Sequence, residues 1–312
     1  MRLTPFTLFG LTSLCCTAAL AQPVSIDGPQ GKLVGQLSAA VEARDIVVIV
    51  PGSGPTDRDG NSLQMGLRSD TYRLLADGLR AAGVSSIRVD KRGFYDSAAA
   101  ISDPNDVTIA AYAQDVRQWV ARASQEASCV WLAGHSEGGL VALAAAAQAP
   151  AGLCGVMLLA APGRPVGRLM VEQFKGNPAA APMMPELEAL VGDLEQRRTR
   201  DPETISPMLR PLFSAGLQRY MTDLFSYDPA QVARRWRGPA LIVQGEADVQ
   251  VRPQDAALLA AAMPQASLVV VPGATHMLKA DVPGQPFATY TDPKLPLHPA
   301  VVPAIVDSIR AR

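Results

Sequence analysis

The run GHSEGG at residues 134–139 carries the pattern G-x-S-x-G, with an apolar segment before it and an alanine-rich helical segment after it. Strand, sharp turn and helix in that order are what a nucleophile elbow requires. Such a turn strains the backbone of its central serine, so the residues two before and two after must be small, and Gly134 and Gly138 meet that need. Ser136 is therefore the candidate nucleophile. Its place at a helix N-terminus adds backbone N–H groups and a dipole that favour developing negative charge.

A neutral serine needs a base, and the chain has three histidines. His135 adjoins the serine, where successive side chains point apart. His298, in PLHPA ahead of the C-terminal helical segment, reads as a capping or surface residue. His276 lies in PGATHMLK, just after the strand expected at 268–271, and so at the carboxyl end of the sheet, where sites of this kind assemble. It is the candidate general base. Asp248, in GEADVQV after the strand expected at 240–244, is the candidate carboxylate to orient that imidazole, and it preserves the order Ser, Asp, His. Glu246 lies nearer the strand, and Asp255 falls in the first turn of the next helix after Pro253, where a carboxylate is expected on helix grounds.

An oxyanion needs two fixed donors. One is expected from the backbone N–H of Glu137. The other is expected from the glycine-rich loop at 52–54, with Ser53 N–H first and Gly54 second, because glycines let the backbone approach substrate closely. Asp57, Arg58 and Asp59 in the same loop read as a bracing ion-pair group rather than as substrate contacts.

The elements that must hold these residues alternate between strand and helix. Two antiparallel strands are expected at 24–26 and 31–38, and DIVVIV at 45–50 is the continuous β-branched run of a strand buried on both faces. Helical spacing starts after Ser69, with Asp70 as a candidate cap and Gly83 as the stop. Further strands are expected at 85–90, 129–134, 155–160, 240–244 and 268–271, and a long amphipathic helix at 107–127. This is an α/β pattern with a mainly parallel sheet.

From about 163 to 236 the rhythm breaks into helical patterns alone. Leu187, Leu190, Val191 and Leu194 form one stripe, and Leu217, Tyr220, Met221, Leu224 and Phe225 another. The segment reads as a helical cap at 164–236, dividing a core of 22–163 and 237–312. Met170, Met183, Met184, Met208 and Met221 would suit an adaptable apolar wall or an irregular helical core.

A basic Arg2, an apolar stretch at 6–20 and the small residues at 19–21 read as a signal peptide, with cleavage expected after Ala21 and a periplasmic or secreted product. Cys129 and Cys154 then remain. Both open buried runs expected to be neighbouring strands, so a disulfide and a pair of inert thiols are equally open. A formal net charge of −1 leaves no basic stripe for nucleic acid or anionic lipid. Scattered histidines and cysteines offer no metal-ligand cluster, and no stable membrane insertion is expected once the leader is gone.

PGSGPTDRDGN near Gly52, DKRG at 90–93, GHSEGG, GEAD and THM stand in the order and spacing of bacterial serine esterases of the α/β-hydrolase superfamily. The GSGP-x-DR-x-G loop is similar to that of a subgroup of carboxylesterases with a helical cap. The resemblance implies hydrolysis of short to medium acyl esters, a small-molecule ester as substrate and no cofactor. Two features depart from it: Phe94 and Tyr95 make the loop after Arg92-Gly93 bulkier, and Pro51 stands where many relatives have histidine.

The expected chemistry is acyl transfer in two steps through an acyl-enzyme. A serine peptidase or amidase is the alternative on the same triad, for which acidic residues of the cap such as Glu186, Glu188 and Glu195 would have to bind an amine. A binding protein that has lost the chemistry is the non-enzymatic alternative.

Overall fold

The computed structural model describes residues 21–312. The leader expected at 1–21 lies outside the described residues except for Ala21. Eight strands form one sheet: β1 (Gln22–Asp27), β2 (Lys32–Ser38), β3 (Asp45–Val50), β4 (Ser85–Val89), β5 (Cys129–His135), β6 (Leu153–Leu159), β7 (Ala240–Gly245) and β8 (Ala266–Val271). Their order is β1-β2-β4-β3-β5-β6-β7-β8. β1 and β2 pair antiparallel, β2 is antiparallel to β4, and every later pairing is parallel. Each parallel step needs a crossover, and helices supply it.

β3 shows why these strands read as uninterrupted apolar runs. Ile46, Val48 and Val50 face one apolar layer and Val47 and Ile49 the other, all nearly inaccessible. The first layer packs α2 (Ile109–Ala123), α3 (Glu137–Ala146) and α8 (Pro253–Ala262); the second packs α1 (Thr71–Ala81) and α10 (Val301–Arg310). α3 is sandwiched on all sides, which is why it is built from Leu140, Val141, Leu143 and alanines.

Four helices fill the connection from β6 to β7: α4 (Val166–Lys175), α5 (Met184–Glu195), α6 (Ala215–Leu224) and α7 (Pro229–Ala233). A short α9 (Ala288–Thr291) precedes α10. The α5 stripe of Leu187, Leu190, Val191 and Leu194 is buried, as are Leu224 and Phe225. Met170, Met183, Met184 and Met221 pack partly buried against this layer, whereas Met208 is 65% exposed and belongs to no wall. Polar bonds fasten the segment at both ends. Arg164 binds Asp255, which also accepts from Gly163 N–H at 3.1 Å, and on α6 Asp223 accepts from Ile109 N–H at 2.7 Å.

Two local expectations are corrected and a third, Asp255 in the first turn of α8, holds and is extended. Asp70 does not cap α1 with its side chain: it sits at φ 52°, and its carboxylate accepts from Asn61 and Arg73 instead. The helix expected at 107–127 is shorter at both ends: Thr108 caps its start by accepting from Ala111 N–H, and after Ala123 the chain leaves it in turns closed by Gln125 N–H on Arg122 and Glu126 N–H on Ala123. Asp255 does more than charge a first turn, since the Arg164 pair makes it an anchor of the β6–β7 connection. Cys129 and Cys154 are joined in a disulfide at the amino ends of β5 and β6, with Cα atoms 5.6 Å apart.

Candidate active site

The carboxyl ends of β3, β5, β7 and β8 deliver the candidate residues to one rim of the sheet. Ser136 follows β5 directly at φ 53°, a conformation costly for a residue with a side chain and the mark of a strained elbow. The neighbouring glycines are sterically required. A Cβ on Gly134 would lie 2.2 Å from the Gly138 carbonyl oxygen, and one on Gly138 would lie 2.3 Å from the Val50 oxygen. Gly52, after β3, packs so closely that its Cβ would stand 3.2 Å from Ser136 Cβ. The glycine-rich loop therefore lies against the elbow.

Asp248 and His276 meet as expected. His276 Nδ1 is 2.8 Å from Asp248 Oδ2, and both side chains are almost wholly buried. The other carboxylate oxygen accepts from Gln250 and Val251 N–H at 2.8 and 2.9 Å, while Gln244 donates to Oδ2. Burial alone would raise the Asp248 pKa, but His276 and the backbone N–H groups of Val251 and Gln250 outweigh it and hold the group below the usual carboxylate range. An ionised carboxylate on Nδ1–H fixes the tautomer that leaves Nε2 free to exchange a proton.

The His276 ring lies 4.8 Å, centroid to centroid, from that of His135, the residue immediately before Ser136. The imidazole thus stands beside the elbow. No hydrogen bond joins it to Ser136 Oγ among the described residues; such contacts commonly tighten only with substrate in place. Glu246 is exposed and Asp255 is engaged by Arg164, so neither alternative carboxylate approaches His276. His298 Nδ1 accepts from Ala300 N–H in the turn before α10, a local contact that does not cap the helix, whose N-cap is Ala300.

His135 has a role that its position in the motif did not reveal. Its Nε2 donates to the His276 carbonyl at 2.8 Å, which leaves Nδ1 to accept from Tyr72 OH, also at 2.8 Å. Tyr72 oxygen in turn accepts from Gly52 N–H at 3.0 Å. One chain of bonds therefore ties the glycine-rich loop, the elbow and the histidine loop together. Burial, reinforced by nearby His276, pushes the His135 pKa down to about 3, so the ring stays neutral and keeps this bonding pattern.

Gly52 N–H is committed to Tyr72, whereas the N–H groups of Ser53 and Gly54 make no hydrogen bond among the described residues, so Ser53 remains the first candidate donor and Gly54 the second. Ser53 also bonds through its side chain: Oγ donates to Glu137 Oε2 at 2.9 Å. Tyr220 OH from α6 donates to Glu137 Oε1 at 2.6 Å. Lys91, after β4, lies 3.9 Å from the same oxygen and donates to the Gly52 carbonyl at 2.5 Å. Neither Lys91 nor the Glu137 side chain was legible as a functional group. The one signal available was a lysine at the end of a strand directed at the site.

The loop residues after Gly54 brace rather than line the rim. Arg58 pairs with Asp90 at 2.8 Å and with Asp96, Asp59 pairs with Arg88, and Asp57 accepts from Asp59 and Asn61 N–H. Tyr95 OH donates to the Pro55 carbonyl, so the bulkier loop after Arg92-Gly93 folds onto this segment. The histidine loop is held by Lys279, fully buried, which donates to the Ser69 and Asp292 carbonyls at 2.6 and 3.0 Å. Glu186 accepts from Ser206 N–H and Glu188 pairs with Lys175, so neither is an unengaged acid.

The family model Hydrolase_4, described as serine aminopeptidase, S33, matches residues 65–282. Esterase EstD of Thermotoga maritima is 29% identical over 212 residues, which cover 67% of this chain and 48% of that protein. The match thus spans about half the length of that relative. Among solved structures, a thermophilic esterase from Thermogutta terrifontis superposes with a TM-score of 0.57 at 19% identity, covering 93% of this chain and 99% of that one. The α/β-hydrolase GrgF from Penicillium superposes with a TM-score of 0.59 at 17% identity, covering 94% and 98%. These likenesses show the α/β-hydrolase fold.

Proposed function

We propose that this chain, which belongs to the Hydrolase_4 (serine aminopeptidase, S33) family, is a serine carboxylesterase acting on short to medium acyl esters. The observation that carries the reading is the buried Asp248–His276 pair beside a serine held at positive φ on a strand-to-helix turn. His276 takes the Ser136 proton as the hydroxyl attacks the ester carbonyl. The N–H groups of Ser53 and Glu137 receive the oxyanion. His276 then protonates the leaving alcohol and activates water to release the acid.

Peptide or amide hydrolysis is the second reading, favoured by the description of the family. Ester hydrolysis ranks first because a relative over two thirds of the chain is named an esterase, and because two of the three candidate acids, Glu186 and Glu188, are engaged by Ser206 and Lys175; the third, Glu195, is exposed at the end of α5. Helices α4 to α7 serve as the cap in this reading. The leader pattern at 1–21 together with the disulfide supports periplasmic or secreted placement.

Parallel assays on p-nitrophenyl esters and aminoacyl anilides test the proposal. Ester turnover that vanishes in Ser136→Ala is expected. A preference for anilides would move the assignment to the peptidase reading, and turnover retained by Ser136→Ala would reject both.

A further inference from the structure

Lys91 is a charged side chain buried beside the candidate site, and the acyl-transfer scheme gives it nothing to do. Its Nζ donates to the Gly52 carbonyl at 2.5 Å and lies 3.9 Å from Glu137 Oε1, with the rings of Tyr112 and Phe94 at 5.5 and 5.9 Å. Burying an ammonium is costly, and burial does push its pKa down against the opposing pull of Glu137. A leucine or methionine would fill the same space without that cost, so the charge calls for a physical reason.

The reason lies in the peptide that it grips. The Gly52 carbonyl and the Ser53 N–H are the two ends of a single trans peptide unit, since the described residues include no cis bonds. In a planar trans unit the two groups point in opposite directions. Holding the oxygen from the interior therefore aims the Ser53 N–H the opposite way, toward the side on which Ser53 is exposed, while the buried Gly52 keeps this loop against Ser136. A cation on the oxygen also draws electron density from the amide and makes its N–H a stronger donor.

We propose that Lys91 is a positioning residue for the oxyanion hole, orienting and polarising the Gly52–Ser53 peptide, with Glu137 as its counter-ion. The proposal rests on the acyl-transfer reading given above. Glu137 completes the brace, because its carboxylate also holds Ser53 Oγ and is itself held by Tyr220 of α6. The two residues that supply the oxyanion donors are thus cross-linked by their own side chains. Tyr220, whose pKa burial and then Glu137 raise well above the ordinary value, remains protonated and able to donate.

The test compares wild type with Lys91→Met, using an ester substrate, a trifluoromethyl ketone that forms a tetrahedral adduct, and the matching unfluorinated ketone. Removing an oxyanion donor outright costs about 10²- to 10³-fold in kcat, so misaiming one is expected to cost roughly 10- to 100-fold with KM nearly unchanged. Trifluoromethyl ketone affinity should fall by the same factor, while affinity for the unfluorinated ketone should hold. A kcat within twofold of wild type, or equal weakening of both ketones, would overturn the proposal. Lys91→Gln keeps an N–H donor without the charge and should fall between the two; it carries the comparison if Lys91→Met does not fold. If instead the wild type is not inhibited by the fluorinated ketone and Ser136→Ala retains turnover, the acyl-transfer reading has failed rather than the role of Lys91.

Discussion

The two sides of the rim are held by different physics. On the base side, Asp248 is the buried carboxylate bonded to His276, and besides the imidazole its partners are local: two backbone N–H groups and the Gln244 amide. On the oxyanion side, the loop is gripped by charges drawn from distant parts of the chain, with Lys91 on the Gly52 carbonyl, Glu137 on Ser53, and Arg58, Arg88 and their aspartates behind. The base side has to fix one carboxylate, which the Asp248 loop does largely from within itself, although the histidine loop it meets is held by Lys279 on the distant Ser69 carbonyl. The oxyanion side has to fix a backbone direction in a loop containing Gly52 and Gly54, and glycines contribute no side chains toward that end.

The chain from Gly52 N–H through Tyr72 and His135 to the His276 carbonyl joins the two sides. It is neutral throughout. A charged His135 would place two donors where Tyr72 and His276 each offer one bond, and burial prevents that ionisation.

The comparison can be broken in order of expected effect. Ser136→Ala removes the nucleophile common to both sides and should lower kcat on p-nitrophenyl esters by on the order of 10⁴- to 10⁶-fold with the fold intact. Asp248→Asn leaves the geometry but permits the wrong imidazole tautomer, and a loss of about 10³- to 10⁴-fold in kcat is expected. Tyr72→Phe cuts the neutral bridge. It leaves Gly52 N–H and His135 Nδ1 unpaired, so urea unfolding should show a loss of about 2 kcal/mol, with kcat down by roughly tenfold or less.

The smallest catalytic effects belong far from the rim. Replacing Cys129 and Cys154 by serine opens a cross-link of 25 residues' separation at the amino ends of the strands. Stability should fall by about 3 kcal/mol under oxidising conditions with kcat unchanged. Behind the oxyanion loop, burial raises the Asp90 pKa to about 6 despite Arg58. A folded-state pKa above the unfolded value means that the native state holds the proton more tightly. The associated stability is therefore present below about pH 4 and is lost as pH rises through 6, amounting to roughly 3 kcal/mol at most. Urea midpoints between pH 4 and 7 should show this fall in the wild type and not in Asp90→Asn.

The elbow, the two late-strand loops and the sheet were legible because each is a local pattern. The glycines around Ser136 report a steric need, and DIVVIV reports burial on two faces. His276 and Asp248 were found by asking which polar residues follow strands, a question of chain order alone. What was not legible depends on distance in the sequence. Lys91 is only a charge in the DKRG run until β4 is seen to end beside β3, and Tyr72 carries no signal in the sequence until its hydroxyl is seen between Gly52 and His135. The Asp70 cap failed for the opposite reason. The local rule was sound, but Asn61 and Arg73 claimed the carboxylate first.

The central claim is that Ser136 is the activated nucleophile, with His276 as its base. Reaction of the purified protein with a fluorophosphonate, followed by peptide mapping in a mass spectrometer, asks this most directly. A single adduct on Ser136, formed far more slowly in His276→Ala, is the expected result. A protein that takes up no label, or that carries it on a different residue, would contradict the account.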